Sequence, residues 1–373
     1  MRELLSVEVK LDVLKFLNYD TLFVIKQTNY HFNELINKYK EELARNQFYS
    51  FKLKFKNFVR RKKIKEIVQV QHFDISTYPI NNELENKWRN AIQWGRNKYS
   101  LPTYISSNDA YVNSLNLNIK VAPKFVSVFL SKADPDIHSE YFRFDLPNYP
   151  TTVNDIRIIY YWLKQFSRCY YLHTGFNQFI FNPEIIKLIF DEDFLSIQFY
   201  CKSAYILFKN PYYYNSLVFN FAINHLYNCK HLHLNVNSFD EHNIILKFLF
   251  DNGTLFSQVS IIYTSTMNSR PLHDLIIHHI LTSTKCSNMV ANINFSSIYW
   301  SQPRLIFKAI KIEEGNCCIS KSNNYKGKRK RRNKYSRIKY KLFNKFNPSI
   351  QFLITILNLN SSNHITEFQI KQL

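Results

Sequence analysis

Glycine is scarce in this chain, with 5 in 373 residues. A loop that wraps a phosphate needs positions where the backbone approaches without a Cβ in the way, so dinucleotide and P-loop sites are poorly supplied, and no such motif is present. Cysteine is scarce too. The six, Cys169, Cys201, Cys229, Cys286, Cys317 and Cys318, include no C-x-x-C pair, which argues against paired-thiol zinc sites and a disulfide framework and predicts reduced thiols. No uncharged apolar run reaches the roughly 18 residues of a membrane span. Glu8, Lys10, Asp12 and Lys15 interrupt the first apolar stretch before it attains the length of a secretory core. A cytoplasmic and/or nuclear protein is expected, neither secreted nor membrane-spanning.

Acids are few beside bases, 28 against 49, giving a formal charge of +21. The excess is local. Lys52 to Lys65 contains eight Lys/Arg and Lys326 to Lys345 contains eleven, with no acid in either window. Apolar mass, by contrast, is plentiful: 46% hydrophobic and 16% aromatic residues predict a folded chain rather than a disordered one. The length suits a small unit followed by a large one.

Ser6 is positioned to cap a helix beginning at Val7, with Glu8 in the first turn where its charge suits the helix dipole. At 100° per residue, Val9, Val13, Phe16 and Leu17 fall on one side and Val7, Leu11 and Leu14 nearly opposite. One stripe can meet the rest of its own domain; the second needs a cover, either the remainder of the chain or a partner. Asp20 is placed to cap a second helix carrying Leu22, Phe23 and Ile25. A third helix, from about Asn29, carries Phe32, Leu35, Ile36, Tyr39 and Leu43 on one face.

The run Leu5-Ser6-Val7-Glu8-Val9, then Val13-Leu14-Lys15-Phe16-Leu17, Asp20, Leu22 and Thr28-Asn29-Tyr30-His31-Phe32 resembles the F-box motif. Ser6 stands where that pattern has Pro, and Thr28-Asn29 where it has Cys and a basic residue. Glu83 to Trp94, Leu146-Pro147-Asn148-Tyr149-Pro150, Tyr161-Trp162-Leu163 and Asn182-Pro183-Glu184 are in turn similar to the layout of divergent F-box families of nematodes. The resemblance implies a three-helix F-box over 1–46 that docks on the Skp adaptor and through it on a cullin, with Leu5, Ser6, Glu8, Val9, Val13, Phe16, Leu17 and Leu22 as adaptor-binding residues. It further implies a region that binds a target protein, which the sequence does not identify. Which stripe of the first helix meets the adaptor is left open by the sequence.

Residues 47–82 are expected to be a basic segment and linker, with the stretch from about Phe48 to Lys65 readable as a strand or a basic helix. A helix bearing Leu84, Trp88, Ile92 and Trp94 then opens a region over 83–373. Strands are predicted near Cys169, Ile197, His231, Val259 and Asn292, with helices at Pro183 to Phe190, Tyr214 to Tyr227, Glu241 to Phe250 and Leu272 to Leu281. Strand followed by helix about every thirty residues is what an array of stacked units requires. The fold class expected is α/β and multidomain: the three-helix unit, then an irregular α/β, leucine-rich-repeat-like region, with an ordinary α/β domain as the rival.

Chemistry is thinly represented. His231 and His233 share a strand face but have no Cys or carboxylate at ligand spacing, so no metal site is expected. His278 and His279 point apart on a helix, and adjacent Cys317-Cys318 suggest composition more than redox chemistry. No nucleophile elbow, metalloprotease helix or kinase signature is present. Neither a catalytic residue nor a cofactor is predicted. The residues 321–345 read as a basic exposed loop in which Lys328, Arg329, Lys330, Arg331 and Arg332 form a candidate nuclear-import address, a phosphate contact or a solvated insertion. The alternative function is therefore a nuclear nucleic-acid-binding protein that uses both basic segments.

Overall fold

The structure, a computed structural model, describes residues 6–40, 42–55, 66–69, 78, 80–98, 103–106, 125–134, 140–176, 179–190, 197–207, 212–236, 242–263, 270–296, 309–319, 333–359 and 365–373. Its first three helices, α1 (Val7–Lys15), α2 (Tyr19–Thr28) and α3 (Tyr30–Lys38), follow one another with single-turn connections. Each begins on a side-chain cap: Ser6 accepts from the Val9 N–H, Asn18 from Thr21 and Asn29 from Phe32. The second cap corrects the sequence expectation. Asp20 lies inside the first turn of α2 and Asn18, two residues earlier, supplies the oxygen, because the cap must precede the first helical residue. The third helix also stops at Lys38, and Leu43 reaches the same core from the segment beyond it.

Leu11, Leu14, Leu22, Leu35, Ile36 and Leu43 form a core of their own, separate from the main one. The main core is organised on a sheet that, among the described residues, has fourteen strands. Its centre is parallel. Strands β6 (Cys169–Phe176), β8 (Phe199–Leu207), β10 (His231–Val236), β11 (Gln258–Tyr263) and β12 (Asn292–Ser296) lie side by side in chain order. The crossovers between them carry α6 (Pro183–Phe190), α7 (Tyr212–His225), α8 (His242–Asp251) and α9 (Arg270–Thr282). Alternation of buried and half-exposed residues along β10 and β11 is the period-2 signature of a sheet covered on one face.

Further strands, paired mostly antiparallel, extend both ends. On one side, β1 (Asn46–Phe55) pairs parallel with β6 and antiparallel with β4 (Phe125–Ser131), which pairs with β5 (Glu140–Pro147) and, through it, β2 (Glu66–Gln69). Of the segment from Phe48 to Lys65 that the sequence left as strand or helix, the part up to Phe55 is a strand inside the sheet, with Phe51 and Leu53 pointing into the core while Lys52 and Lys54 occupy the other face; residues 56–65 lie outside the described residues. On the other side, β12 is followed by β16 (Ile365–Gln372), β15 (Gln351–Leu359), β14 (Asn333–Phe343) and β13 (Ile310–Ile319). The strand β14 corrects the expected loop 321–345 within its described part, over Asn333–Phe343. Leu342 is buried on the same strand as Arg337 and Lys339, which both pair with Glu313 of β13, so the charges are accommodated by alternation. The run Lys328 to Arg332 lies outside the described residues. The chain is a mixed α/β protein with three helices at its N-terminal side.

Helices α4 (Asn82–Lys98) and α5 (Val153–Ser167) complete the cover. Thr152 and Asp155 cap α5 reciprocally, satisfying two of the N–H groups that a helix start leaves without partners. Trp88 of α4 is fully buried and donates from Nε1 to the Leu188 carbonyl at 3.3 Å. Two short strands, β3 (Tyr104–Ser106) and β7 (Phe179–Phe181), pair apart from the main sheet; β9 (Leu226–Tyr227) pairs with β8.

At the end of α7, His225 is fully buried and its Nδ1 lies 2.8 Å from the Ile197 carbonyl oxygen. Burial pushes its pKa down to about 4. An unfolded histidine titrates near ~6.5, so between these values the unfolded chain holds more protons than the folded one, and stability falls as pH drops from about 6.5 towards 4. The full loss from this group is of order 3 kcal/mol. Urea midpoints at pH 7.5 and 4.5 should converge more for His225→Gln than for the unaltered chain; an identical shift in both would assign the acid sensitivity elsewhere.

Candidate docking surfaces

Sixteen large apolar side chains are exposed among the described residues, and eight of them, Val7, Val9, Val13, Phe16, Tyr19, Phe23, Val24 and Tyr30, fall in the first two helices and the start of the third. Single exposed apolar residues are ordinary; a cluster on one small unit is the mark of a contact surface. The two stripes of α1 separate cleanly. Leu11 and Leu14 face inward, with Leu14 2% exposed, whereas Val9 is 45% and Phe16 90% exposed. Leu17, grouped with the outer stripe on angular position, packs on the inner core instead, because the helix ends at Lys15 and the chain turns there. Val7, grouped with the inner stripe, is exposed.

The residues that the F-box resemblance marked therefore divide into three groups. Val9, Val13 and Phe16 lie on the outside. Leu17 and Leu22 belong to the core beneath them, so they shape the surface without forming it. Ser6 caps the helix at φ −66°, ψ 163°, backbone angles that a proline would also adopt. Glu8 is exposed, and its backbone N–H and the Ser6 hydroxyl hold its carboxyl below the usual carboxylate range. Leu5 is outside the described residues.

A second surface is the face of the sheet opposite the helices. In strand register it carries Lys52, Gly175, Tyr205, His233, Ser260 and Asn294 in one row. The adjacent row has His173, Ser203, His231, Gln258 and Asn292. His233 stacks on Tyr205 with ring centroids 4.3 Å apart, and His173 Nδ1 lies 2.8 Å from the Ser203 hydroxyl. Burial, then the neighbouring His231 and His173, lowers the His233 pKa; burial and Lys52 lower that of His173. Both rings are neutral near pH 7, and the face presents flat, hydrogen-bonding groups. His231 and His233 share it as their spacing predicted, but no cluster of three metal-ligating residues is present among the described ones. No helix of the described residues is long and apolar enough to cross a membrane.

Other residues singled out in the sequence are structural. Asn148 is buried, with its carbonyl accepting from the Thr103 N–H and its Oδ1 from the Tyr104 N–H. Asn182 accepts at Oδ1 from the Glu184 N–H at the start of α6 and donates its own N–H to Thr103. Both short motifs thus hold β3 in place. The side chains of Trp94, Cys317 and Cys318 are outside the described residues.

Residues 69–237, from the end of β2 through β10, match a family described as Domain of unknown function (DUF8381). The match covers less than half of the chain and leaves the three N-terminal helices outside it. No curated protein and no solved structure matches the chain.

Proposed function

We propose that this chain is a substrate-recognition subunit of a Skp–cullin–F-box ubiquitin ligase. The observation that supports this reading most is the exposed apolar face of α1 and α2, set on a helical unit with its own small core. A unit of this size covers little of its own apolar surface and gains from a partner. The Skp adaptor, and a cullin through it, docks there; the strand–helix array, leucine-rich-repeat-like in its order, presents the open sheet face to one target protein. Tyr205, His173 and His233 offer that face rigid rings with hydrogen-bonding edges, side chains that lose little entropy on contact.

The chain performs no chemistry in this account. It raises the effective concentration of the target at the ubiquitin carrier, and other subunits catalyse the transfer. Such a protein acts in the cytoplasm or nucleus, with Lys328 to Arg332 as the candidate import address. Co-expression of the full chain with the adaptor and a cullin tests the reading: the three are expected to elute together on gel filtration. Elution of the folded chain alone, with adaptor and cullin together in a separate peak, would refute it.

A further inference from the structure

The helical unit and the sheet have separate cores, and the chain passes from one to the other within a few residues. Glu42 is tied back to α1 by an ion pair with Lys15 at 3.0 Å, Leu43 is buried in the helical core, and Ala44 packs against that core. Asn46 is already the first residue of β1 and pairs with Cys169 of β6. Arg45 stands between. A single residue brings two soft backbone dihedrals, and that is enough for a hinge.

Packing does not close the junction. A cleft of about 480 Å³ lies there, with Tyr19 and Phe23 of α2 on one side and Trp162 and Gln165 of α5 on the other. The side chain of Arg45, however, reaches the body of the protein at two places. Its Nη1 donates to the carbonyl oxygen of Ser167 at 2.9 Å. Ser167 is the last residue of α5, so the cation also meets the negative end of a helix dipole. The guanidinium lies 3.5 Å from the Tyr200 ring centroid, and Tyr200 in turn packs on Tyr227 with centroids 4.8 Å apart. A planar cation held by a carbonyl at its edge and a ring on its face has one favoured position. Anchoring the side chain fixes the direction of the Cα–Cβ bond relative to β1, and with it ψ of residue 45. Rotation of the helical unit is then left with φ, which the Cβ of a non-glycine residue confines to negative values.

We propose that Arg45 locks a one-residue joint and so fixes the direction in which the helical unit points relative to the open sheet face. It is a positioning residue, acting through Ser167 and Tyr200. What the lock is for rests on the ligase reading: it holds a bound target at a set offset from the adaptor, whereas a loose joint spreads the target over a larger volume and lowers its effective concentration at the ubiquitin carrier. The lock itself is formed within this chain and can be measured without a partner.

The test is amide nitrogen relaxation, measured by NMR on the deuterated full-length chain in the absence of the adaptor. In the unaltered chain, α1 to α3 and the central strands are expected to share one ratio of transverse to longitudinal rates, because parts that tumble together do. In Arg45→Ala the ratio over the three helices should fall about twofold relative to the strands, as nanosecond motion of the unit sets in. A purely stabilising role for Arg45 would lower the denaturant midpoint and leave the two ratios equal. Equal ratios in Arg45→Ala overturn the proposal, as do unequal ratios in the unaltered chain. Should Arg45→Ala not fold, Tyr200→Leu decides: it removes the ring beneath the guanidinium, a smaller fall over the helices is expected, and no change overturns the lock. Failure of the adaptor to bind would refute the ligase reading and leave these ratios as they are, while equal ratios in Arg45→Ala would leave the exposed stripe of α1 intact.

Discussion

Replacing Val9 with aspartate is expected to abolish capture of the Skp adaptor while leaving the body of the protein folded. Val9 is 45% exposed on the outer stripe of α1, so the free chain tolerates a carboxylate there. In a complex the same carboxylate would be buried without a partner, at a cost of several kcal/mol, and since each 1.4 kcal/mol is tenfold, affinity should drop by about a hundredfold or more. Leu14→Asp is the contrasting variant. Leu14 is 2% exposed in the helical core, so its replacement should unfold the unit itself, lowering helical signal and making the N-terminal forty residues sensitive to protease. If Val9→Asp and Phe16→Asp both bound the adaptor as well as the unaltered chain, the exposed stripe would not be the docking face.

The largest expected loss of stability is at Phe199. Its ring is fully buried in β8, stacked on Phe181 at 5.4 Å with planes 7° apart, and it meets Phe51, Phe176 and Phe221 within 6.1 Å. These rings come from β1, β6, β7, β8 and α7, so they join distant parts of the chain. Truncation to alanine removes ring burial and leaves a cavity bounded by several rigid rings that relax poorly, costing about 3–5 kcal/mol. Phe199→Leu keeps most of the volume and should cost about 1.5 kcal/mol or less. Denaturant midpoints of the two variants check this, and a Phe199→Ala midpoint within error of the unaltered chain would contradict it. Because the helical core is a separate cluster, the alanine variant should still bind the adaptor below its unfolding midpoint.

What the sequence revealed depended on how local the signal was. His231-Leu232-His233-Leu234-Asn235-Val236 alternates without interruption, and the helices after it repeat at three and four residues, so the central strand–helix order could be read from periodicity alone. Strand β1 alternates Phe and Lys in the same manner, yet its place between β4 and β6 is set by residues 71 to 123 positions away, which no local pattern encodes. The density of Lys and Arg hid β14. Five consecutive charges favour exposure, but the residues after them alternate, and Glu313 on the neighbouring strand meets Arg337 and Lys339.

The proposed docking surface was half legible. Helical geometry separated two stripes on α1, but labelling them required the second and third helices, which cover Leu11 and Leu14 and leave Val9, Val13 and Phe16 outside. Angular position misplaced Leu17 and Val7 because both sit at helix ends, where the chain departs from the 100° rule.

The most direct test is titration of the purified full-length chain with the Skp adaptor, read by calorimetry, beside the Phe16→Asp variant. Phe16, at 90% exposure, contributes little to the fold and much to any contact made over α1. The account predicts one adaptor per chain with a heat-capacity change that is negative, as burial of apolar surface requires, and no measurable binding by the variant. Absence of binding by the unaltered chain at about 100 µM, a level at which even a weak specific contact is visible, would contradict it.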